Sequence, residues 1–305
     1  SQRYGFDMNI VYPSIEAMIN ATHPDAVTAF NPIYDHLKTV EICAPKGIHV
    51  MVEKPLAVSW EHSQKMVALA RQHNIHLLTN YETTWYGSTV DAYRIVHQDH
   101  SIGDITKILF HTGHAGPIEI GCRKEFTDWL TDPILNGAGA LTDFGCYGAN
   151  MATWLMKGAT PVTVSCVTQQ MKPNVYPRVE DEATIILTYP KAQVIIQASW
   201  NWPYSRKDMT IYGKSGYVLC KNGRDMEILI SGKKGITSQQ AGPLPKGAHD
   251  PFAFLANVVR GKIEVAPFGL SSLENNVIVT QILDAAKVAA LTGKTTVWDD
   301  YFRQD

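Results

Sequence analysis

The sequence lacks the features that mark several common classes of protein. It has no run of lysine and arginine and a net charge of −2, so nucleic acid is not an expected partner. No apolar run approaches the length of a membrane span, so no membrane association is predicted. No C-x-x-C pair is present, and His111-x-x-His114 would place its histidines on opposite faces of a strand. No metal site is therefore predicted.

Cysteine is sparse and scattered. The five cysteines are odd in number and show no paired spacing, which indicates free thiols in a reducing compartment and predicts a cytoplasmic protein: Cys43, Cys122, Cys146, Cys166 and Cys220. The chain begins Ser1-Gln2-Arg3 without an initiator methionine, so a removed targeting segment stays open.

Charged residues make up only 18% of the chain, whereas hydrophobic residues make up 45%. This balance predicts sizeable cores and argues against disorder. A length of 305 residues favours two domains, and we place their boundary between residues 82 and 83.

The first third alternates helices with short apolar strands. Ser14 and Ser59 are typical helix caps, and strands are predicted at residues 26–30, 49–52 and 75–79. Such alternation is typical of βαβ units and predicts a parallel sheet.

The remainder is rich in strands joined by tight turns. Asn222-Gly223 is a strong hairpin signal, and residues 233–248 are predicted to form a mobile loop. Strands are predicted at residues 105–111, 162–169, 183–189, 193–200, 209–212 and 226–230, and long helices at residues 142–156 and 273–291. This pattern favours an α+β domain with a large, mostly antiparallel open sheet.

Three motifs carry candidate chemistry. Asn31-Pro32-x-x-x-His36 follows one predicted strand, Glu53-Lys54-Pro55 follows the next, and Gly137-Ala-Gly-Ala-Leu-Thr-Asp143-Phe-Gly-Cys-Tyr147 opens a helix. Ligands of an open α/β sheet lie beyond the carboxyl ends of its strands, which is where Lys54 is expected. Asp143 and Tyr147 are four positions apart and share a helix face.

These residues suit proton transfer to or from a hydroxyl group. Free tyrosine has a pKa of about 10, and a nearby ammonium such as Lys54 is expected to lower the pKa of Tyr147. Gly137 and Gly139 are expected to leave room for a cofactor or sugar. The structural alternative makes Tyr147 a core aromatic and Asp143 an acid that satisfies first-turn amides.

Together the motifs resemble the glucose-fructose oxidoreductase, inositol dehydrogenase and rhizopine-catabolism (Gfo/Idh/MocA) family of NAD(P)-dependent oxidoreductases. The resemblance implies an incomplete Rossmann-type parallel sheet followed by the α+β domain, with NAD or NADP as cofactor. It implies a catalytic role for Lys54, Asp143 and Tyr147. Tyrosine at position 147, where many members carry histidine, is similar to the glucose-fructose oxidoreductase and dihydrodiol dehydrogenase branches.

Further contacts are predicted around this trio. The cofactor-binding candidates are Asn31, Pro32, His36, Glu53, Lys54, Pro55 and Tyr81. Side chains that suit stacking on or hydrogen bonding to a sugar are Arg123, Trp129 and Trp202, with buried aromatics as the alternative explanation. A homodimer or homotetramer is expected through the second-domain sheet, where Val194-Ile195-Ile196 and Trp200-Asn201-Trp202 place apolar groups on both alternations.

One part of the family pattern is missing from the sequence. No G-x-G-x-x-G turn is present, although that turn would hold the pyrophosphate of a dinucleotide. We therefore expect a longer protein, an unpaired edge on the strand at residues 26–30, and poor dinucleotide binding by this chain.

The sequence thus predicts hydride transfer between nicotinamide and a sugar, polyol or related carbonyl compound. Two other classes stay open: a glycosidase of the same family that uses bound NAD, and a non-catalytic binding or assembly subunit.

Overall fold

The computed structural model describes residue 5 and residues 7–302, so Ser1-Gln2-Arg3 lie outside the described part. The first third forms the predicted three-stranded parallel sheet, in the order β1 (Ala26–Ala29), β2 (His49–Glu53), β3 (Leu77–Asn80). Ala29 pairs with Val52, and Val52 pairs with Thr79, so the three strands end at a common edge. Its helices are α1 (Ile15–Thr22), α2 (His36–Cys43) and α3 (Trp60–Gln72).

The predicted caps start two of these helices. Ser14 Oγ accepts a hydrogen bond from Ala17 N at 3.1 Å, and Ser59 Oγ accepts one from His62 N at 3.2 Å. Each cap of this kind contributes about 1 kcal/mol. Gly47, in the left-handed conformation, ends the turn after α2 and lets β2 begin at once.

The remainder forms a nine-stranded open sheet. Its strands are β4 (Ile105–Gly113), β5 (Thr163–Gln169), β6 (Glu182–Thr188), β7 (Gln193–Ser199), β8 (Arg206–Gly213), β9 (Gly216–Cys220), β10 (Asp225–Ile230), β11 (Thr237–Gln240) and β12 (Thr296–Val297). They are ordered β11-β10-β9-β8-β4-β7-β6-β5-β12. Among the described strands of this sheet, β4 and β7 alone are parallel neighbours, so the predicted antiparallel character is confirmed.

Helix α6 lies directly on this sheet and carries two of the candidate catalytic residues. Gly148 permits the close approach, because a Cβ there would lie 2.6 Å from Ile196 Cγ2. The helices of this part are α4 (Gly87–Tyr93), α5 (Lys124–Leu130), α6 (Ala140–Leu155), α7 (Pro251–Val259), α8 (Leu273–Thr292) and α9 (Trp298–Phe302). Shorter helical turns occupy Met8–Ile10, Ile33–Asp35, Ala44–Lys46, Glu82–Trp85 and Arg94–Gln98.

The later part of the chain also covers the first sheet. Leu255 and Val258 of α7 pack on Met51 and Leu78, which are buried in β2 and β3. Helix α8 packs against α3. The two sheets are therefore joined by shared packing, and the boundary at residues 82 and 83 stays a prediction.

Some elements differ from the sequence-based expectation. Residues 233–248 contain β11, which pairs with β10 although its sequence, Thr-Ser-Gln-Gln, has no apolar alternation. Val194, Ile196 and Trp200 are fully buried, so they cannot contribute to an outer apolar face.

All five cysteines are free. Within residues 7–302, no helix combines the length and apolarity that crossing a membrane requires.

Candidate active site

Lys54 lies where β2 ends, at the carboxyl edge of the first sheet. A cis Lys54–Pro55 peptide bond follows it, and its side chain is 15% exposed. The ammonium donates to Asp143 Oδ1 at 2.5 Å and to the Asp143 carbonyl oxygen at 2.9 Å. The first sheet is thereby linked to α6, which packs on the second.

Asp143 is held from a second side. Its other carboxylate oxygen, Oδ2, accepts a hydrogen bond from the indole Nε1 of Trp200 at 2.9 Å. Asp143 is 5% exposed and Trp200 is fully buried. Both carboxylate oxygens are thus bound by donors from different elements.

The pair is charged at neutral pH. Burial alone would lower the pKa of Lys54, but its neighbours, the Asp143 carboxylate foremost, together outweigh burial and raise that pKa. Burial alone would raise the pKa of Asp143, but Lys54, followed by Trp200 and His114, holds that pKa below its usual value. Each charge therefore depends on the other.

Tyr147 lies one turn further along α6, beside this ion pair. The Lys54 ammonium is 5.1 Å from the centre of its ring, and Tyr81 meets the ring edge-on at 5.5 Å. The structure therefore brings Lys54, Asp143 and Tyr147 together, although their catalytic roles stay a proposal.

Lys54 has the expected lowering effect on the pKa of Tyr147, but the net direction of that pKa is the reverse of the expected one. Burial raises the pKa of Tyr147 well above its usual value, and the opposing effect of Lys54 is smaller. Tyr147 is only 4% exposed, so water cannot stabilise a phenolate. At neutral pH it is a neutral phenol.

A second ammonium, which the sequence analysis missed, lies beside the same ring. Lys207 Nζ is 4.7 Å from the ring centre of Tyr147 and forms an ion pair with Glu82. Lys207 alternates in phase with Met209 and Ile211, which are buried in β8. The sequence contained a signal for each residue. Lys207 occupies one of the alternate positions of β8, of which the next two are apolar and buried. Trp200 is the next residue after β7 and continues the alternate positions of that strand that are buried.

The glycines before α6 have a different role from the predicted one. A Cβ at Gly139 would lie 1.9 Å from the Glu180 carbonyl oxygen, and one at Gly137 would lie 3.1 Å from that of Val58. The Glu180 carboxylate accepts from the amides of Gly139 and Leu141 at 2.8 and 2.9 Å. The space is thus filled by the protein's own chain, and Glu180 caps the helix that carries the site.

The cofactor candidates follow the ends of β1, β2 and β3. Asn31 Nδ2 donates to the Asp35 carbonyl oxygen and to Thr39 Oγ1, whereas Asn31 Oδ1 is buried without a partner among the described residues. Glu53 accepts from Asn80 Nδ2 at 2.8 Å. A buried acceptor without a donor is costly, so this edge fits a ligand that supplies one, such as the carboxamide of nicotinamide.

His36 is completely buried and contacts the Leu56 carbonyl oxygen through Nδ1 at 3.1 Å. Burial lowers the pKa of His36 to about 4, so the ring is neutral. It ties α2 to the segment after Pro55. A cofactor contact by His36, Pro32 or Pro55 stays a prediction.

The substrate candidates lie on two other segments. Trp129 packs edge-on against Phe126 at 5.0 Å, and Trp202 lies 5.5 Å from the Arg206 guanidinium. Arg123 is exposed and precedes α5. Burial, with a smaller contribution from the Asp143 charge, raises the pKa of the adjacent Cys122, so the start of α5 lies within electrostatic range of the site. Sugar contacts by these three residues stay a prediction.

The metal-capable histidines have protein partners. His111 Nδ1 pairs with Asp208 at 2.9 Å, and His114 Nδ1 accepts from the Gly116 amide. Across residues 7–302, no three histidine, cysteine, aspartate or glutamate side chains are grouped to hold a metal ion.

Two family models match the chain. Residues 2–81 match the oxidoreductase family with an NAD-binding Rossmann fold, and residues 91–219 match the GFO/IDH/MocA C-terminal domain. Together these segments cover more than half of the chain, and both belong to one family.

Individual relatives agree with this match. A trans-1,2-dihydrobenzene-1,2-diol dehydrogenase of Sus scrofa is 26% identical over 58% of this chain and 46% of its own length. A dTDP-3,4-didehydro-2,6-dideoxy-alpha-D-glucose 3-reductase of Streptomyces antibioticus is 24% identical over 67% of this chain and 58% of its own length. The chain spans about half the length of the curated relatives it matches.

The fold is shared with solved structures. An aldose-aldose oxidoreductase from Caulobacter crescentus superposes with a TM-score of 0.80 at 22% identity, over 97% of this chain and 86% of its own. Both domain matches, the order of the three motifs and the shared fold lead to one assignment: the chain belongs to the GFO/IDH/MocA family of oxidoreductases.

Proposed function

We propose that this chain carries the nicotinamide side and the substrate side of an NAD(P)-dependent oxidoreductase. The reaction is hydride transfer between nicotinamide and a hydroxyl-bearing carbon of a sugar, polyol or related carbonyl compound. The observation that carries the proposal is the convergence of Lys54 from the first sheet with Asp143 and Tyr147 from α6. The dehydrogenase and reductase names of the relatives support the same class of reaction.

Each member of the trio has a distinct task. The cofactor, when bound, supplies or accepts the hydride. Tyr147 donates its phenolic proton to the carbonyl oxygen during reduction, and in the reverse direction its phenolate takes the proton from the hydroxyl group. Lys54 orients the reacting oxygen, and Asp143 keeps Lys54 charged and in place. Because Tyr147 is a neutral phenol, it is prepared at neutral pH for carbonyl reduction.

The cofactor is NAD or NADP, held on its nicotinamide side by the edge that carries Asn31, Glu53, Lys54 and Tyr81. These residues present a buried unpartnered acceptor and an ammonium to that ring. A half-cofactor therefore tests this chain most directly. Reduced nicotinamide mononucleotide contains the reacting ring and lacks the adenylate half.

The experiment supplies this half-cofactor with a panel of aldoses, ketoses, diols and inositols and follows its oxidation. The expected result is saturable oxidation that depends on one class of carbonyl compound. Lys65→Ala, which removes an exposed lysine of α3, is the control and leaves the rate unchanged. No turnover with any compound, together with no binding of the half-cofactor, would reject the proposed function.

Self-association through the outer face of the second sheet is part of the proposal. Ile185 and Ile196 are buried on the face that receives α6, so Ile186 and Ile195 point the other way by alternation. Ile195 pairs with both Ile186 and Leu109, which forms a half-buried apolar row across three strands. A second copy of the chain would bury that row.

A further inference from the structure

We propose that Trp200 is a positioning residue for the Lys54–Asp143 pair. Its indole N–H holds the Asp143 carboxylate ionised and oriented, and Asp143 in turn holds the Lys54 ammonium beside Tyr147. The catalytic consequence rests on the proposed function, but the hydrogen bond and its coupling to Asp143 do not.

The geometry separates the two oxygens of Asp143. Oδ1 receives Lys54 at 2.5 Å, and Oδ2 receives the Trp200 indole at 2.9 Å. A carboxylate bound at both oxygens is fixed in rotation, so the direction of its bond to Lys54 is fixed as well. This arrangement favours a lysine-holding role for Asp143 over direct contact with a substrate hydroxyl group.

Trp200 is itself held in place from several sides. Its amide donates to the Asp181 carbonyl oxygen at 2.8 Å, and its carbonyl oxygen accepts from Lys172 Nζ at 2.7 Å. Its ring lies against Tyr176, with ring centres 4.9 Å apart. The indole is therefore a preorganised donor, because its direction is set before any ligand binds.

The charged and titratable groups around Asp143 come from several elements. Lys54 faces it from the end of β2, and His114 faces it from the end of β4. Its charge acts on the pKa values of these two groups and also on those of Cys122, Cys146 and Tyr147. Trp200 is the neutral donor in this set, so its removal changes hydrogen bonding without changing net charge.

The test is a double-mutant cycle in the 305-residue chain without cofactor, with unfolding by urea as the readout. Trp200→Phe keeps an aromatic ring against Tyr176 and removes the donor. We expect it to lower the folding equilibrium constant about 10- to 100-fold at neutral pH, as for loss of a hydrogen bond to a charged group. The same substitution in an Asp143→Asn background is expected to have a smaller effect, because only the loss of packing, which is common to both backgrounds, remains there.

The effect should also depend on pH. The folded-state pKa of Asp143 lies below its unfolded value of about 3.9, so the contribution is present above that value and is lost as pH falls through the folded pKa. The difference between Trp200→Phe and wild type should therefore shrink below about pH 4. Trp202→Phe is the matched control, because the Trp202 ring lies by the Arg206 guanidinium and its truncation is expected to have the same effect in the wild-type and Asp143→Asn backgrounds.

A second measurement covers the case in which Trp200→Phe does not fold. Among the seven tryptophans, one isotope-labelled indole N–H resonance should shift as Asp143 titrates in wild type, and this response should vanish in Asp143→Asn. An equal effect of Trp200→Phe in both backgrounds, or no titrating indole, would overturn the positioning role. Neither readout needs hydride transfer, so an inactive chain that shows the coupling would reject the proposed function alone.

Discussion

At the scale of single residues, the ion pair between Lys54 and Asp143 sets the surroundings of Tyr147. Both charges are nearly excluded from water, and each stabilises the other in its ionised form. The pair is therefore costly to break from one side, because the remaining charge would stay buried without a partner.

Lys54→Ala is expected to lower stability as well as activity. Removal of the ammonium leaves the Asp143 carboxylate uncompensated, which typically costs about 3–5 kcal/mol. The pKa of Asp143 should rise, so the charge-dependent stability that is present above about pH 4 should diminish. Urea unfolding across a pH series measures both effects.

Asp143→Asn should be milder, because the amide oxygen can still accept a hydrogen bond from Lys54. Lys65→Ala is the control, since Lys65 pairs with Glu61 on the exposed face of α3, where water and salt screen the pair, and it should leave stability nearly unchanged. Equal stabilities of Lys54→Ala and Lys65→Ala would contradict the account.

The trio could be predicted from the sequence because its residues stand in motifs at strand ends and on one helix face. Trp200 and Lys207 leave only a weak local signal, and their contacts with Asp143 and Tyr147 could not be predicted because they depend on where β7 and β8 place these side chains relative to α6. The direction of the Tyr147 pKa was also beyond the sequence, since it depends on the depth of burial rather than on the presence of a lysine.

At the scale of elements, the start of α6 determines where Asp143 and Tyr147 lie. Gly139 brings the chain against Glu180, whose carboxylate binds two amides at the helix start. A side chain at position 139 would therefore move the first turn of α6.

Gly139→Ala is expected to destabilise the protein by about 1–3 kcal/mol or more, because its Cβ would lie 1.9 Å from the Glu180 carbonyl oxygen. Gly242→Ala is the matched control, since no atom lies within 4 Å of a Cβ there. Thermal unfolding of the two variants measures the difference. A melting temperature for Gly139→Ala equal to that of Gly242→Ala would show that the contact is not restrictive.

The free edge of β1 bears on how tightly the chain can bind the phosphate groups of the cofactor. Strand β1 is the edge of the first sheet in the described chain, as predicted, and a groove of about 540 Å³ runs beside it between α1 and α2. Without the glycine-rich turn in the sequence, we expect weak binding of NAD and NADP to the 305-residue chain. Calorimetric titration with each dinucleotide tests this, and tight binding of either one would refute it.

Strands β1 to β3 were predictable because parallel strands buried on both faces are short apolar runs. Strand β11 and helix α7 were harder to predict. Strand β11 is polar and is held by pairing with β10, whereas α7 gains its place by covering the distant first sheet. Such tertiary contacts leave little local signal in the sequence.

At the scale of the whole molecule, the outer apolar row formed by Leu109, Ile186 and Ile195 is expected to mediate self-association. Ile195→Lys should convert a dimer or tetramer to a monomer, because it places a charge in the centre of that row. Leu291→Lys, at an exposed position near the end of α8 and away from the sheet, is the control. Sedimentation velocity measures the assembly state, and a wild-type monomer at micromolar concentration would contradict the expectation.

The central claim is that Tyr147 exchanges the proton while hydride moves between the nicotinamide and the substrate. The most direct measurement follows deuterium from labelled reduced nicotinamide mononucleotide into the product of the substrate identified by the panel. Wild type and Tyr189→Phe, which alters a buried tyrosine at the end of β6, are expected to transfer the label at similar rates. Tyr147→Phe should lower the rate about 100- to 10,000-fold with little change in half-cofactor affinity. Transfer by Tyr147→Phe at the wild-type rate would contradict the account.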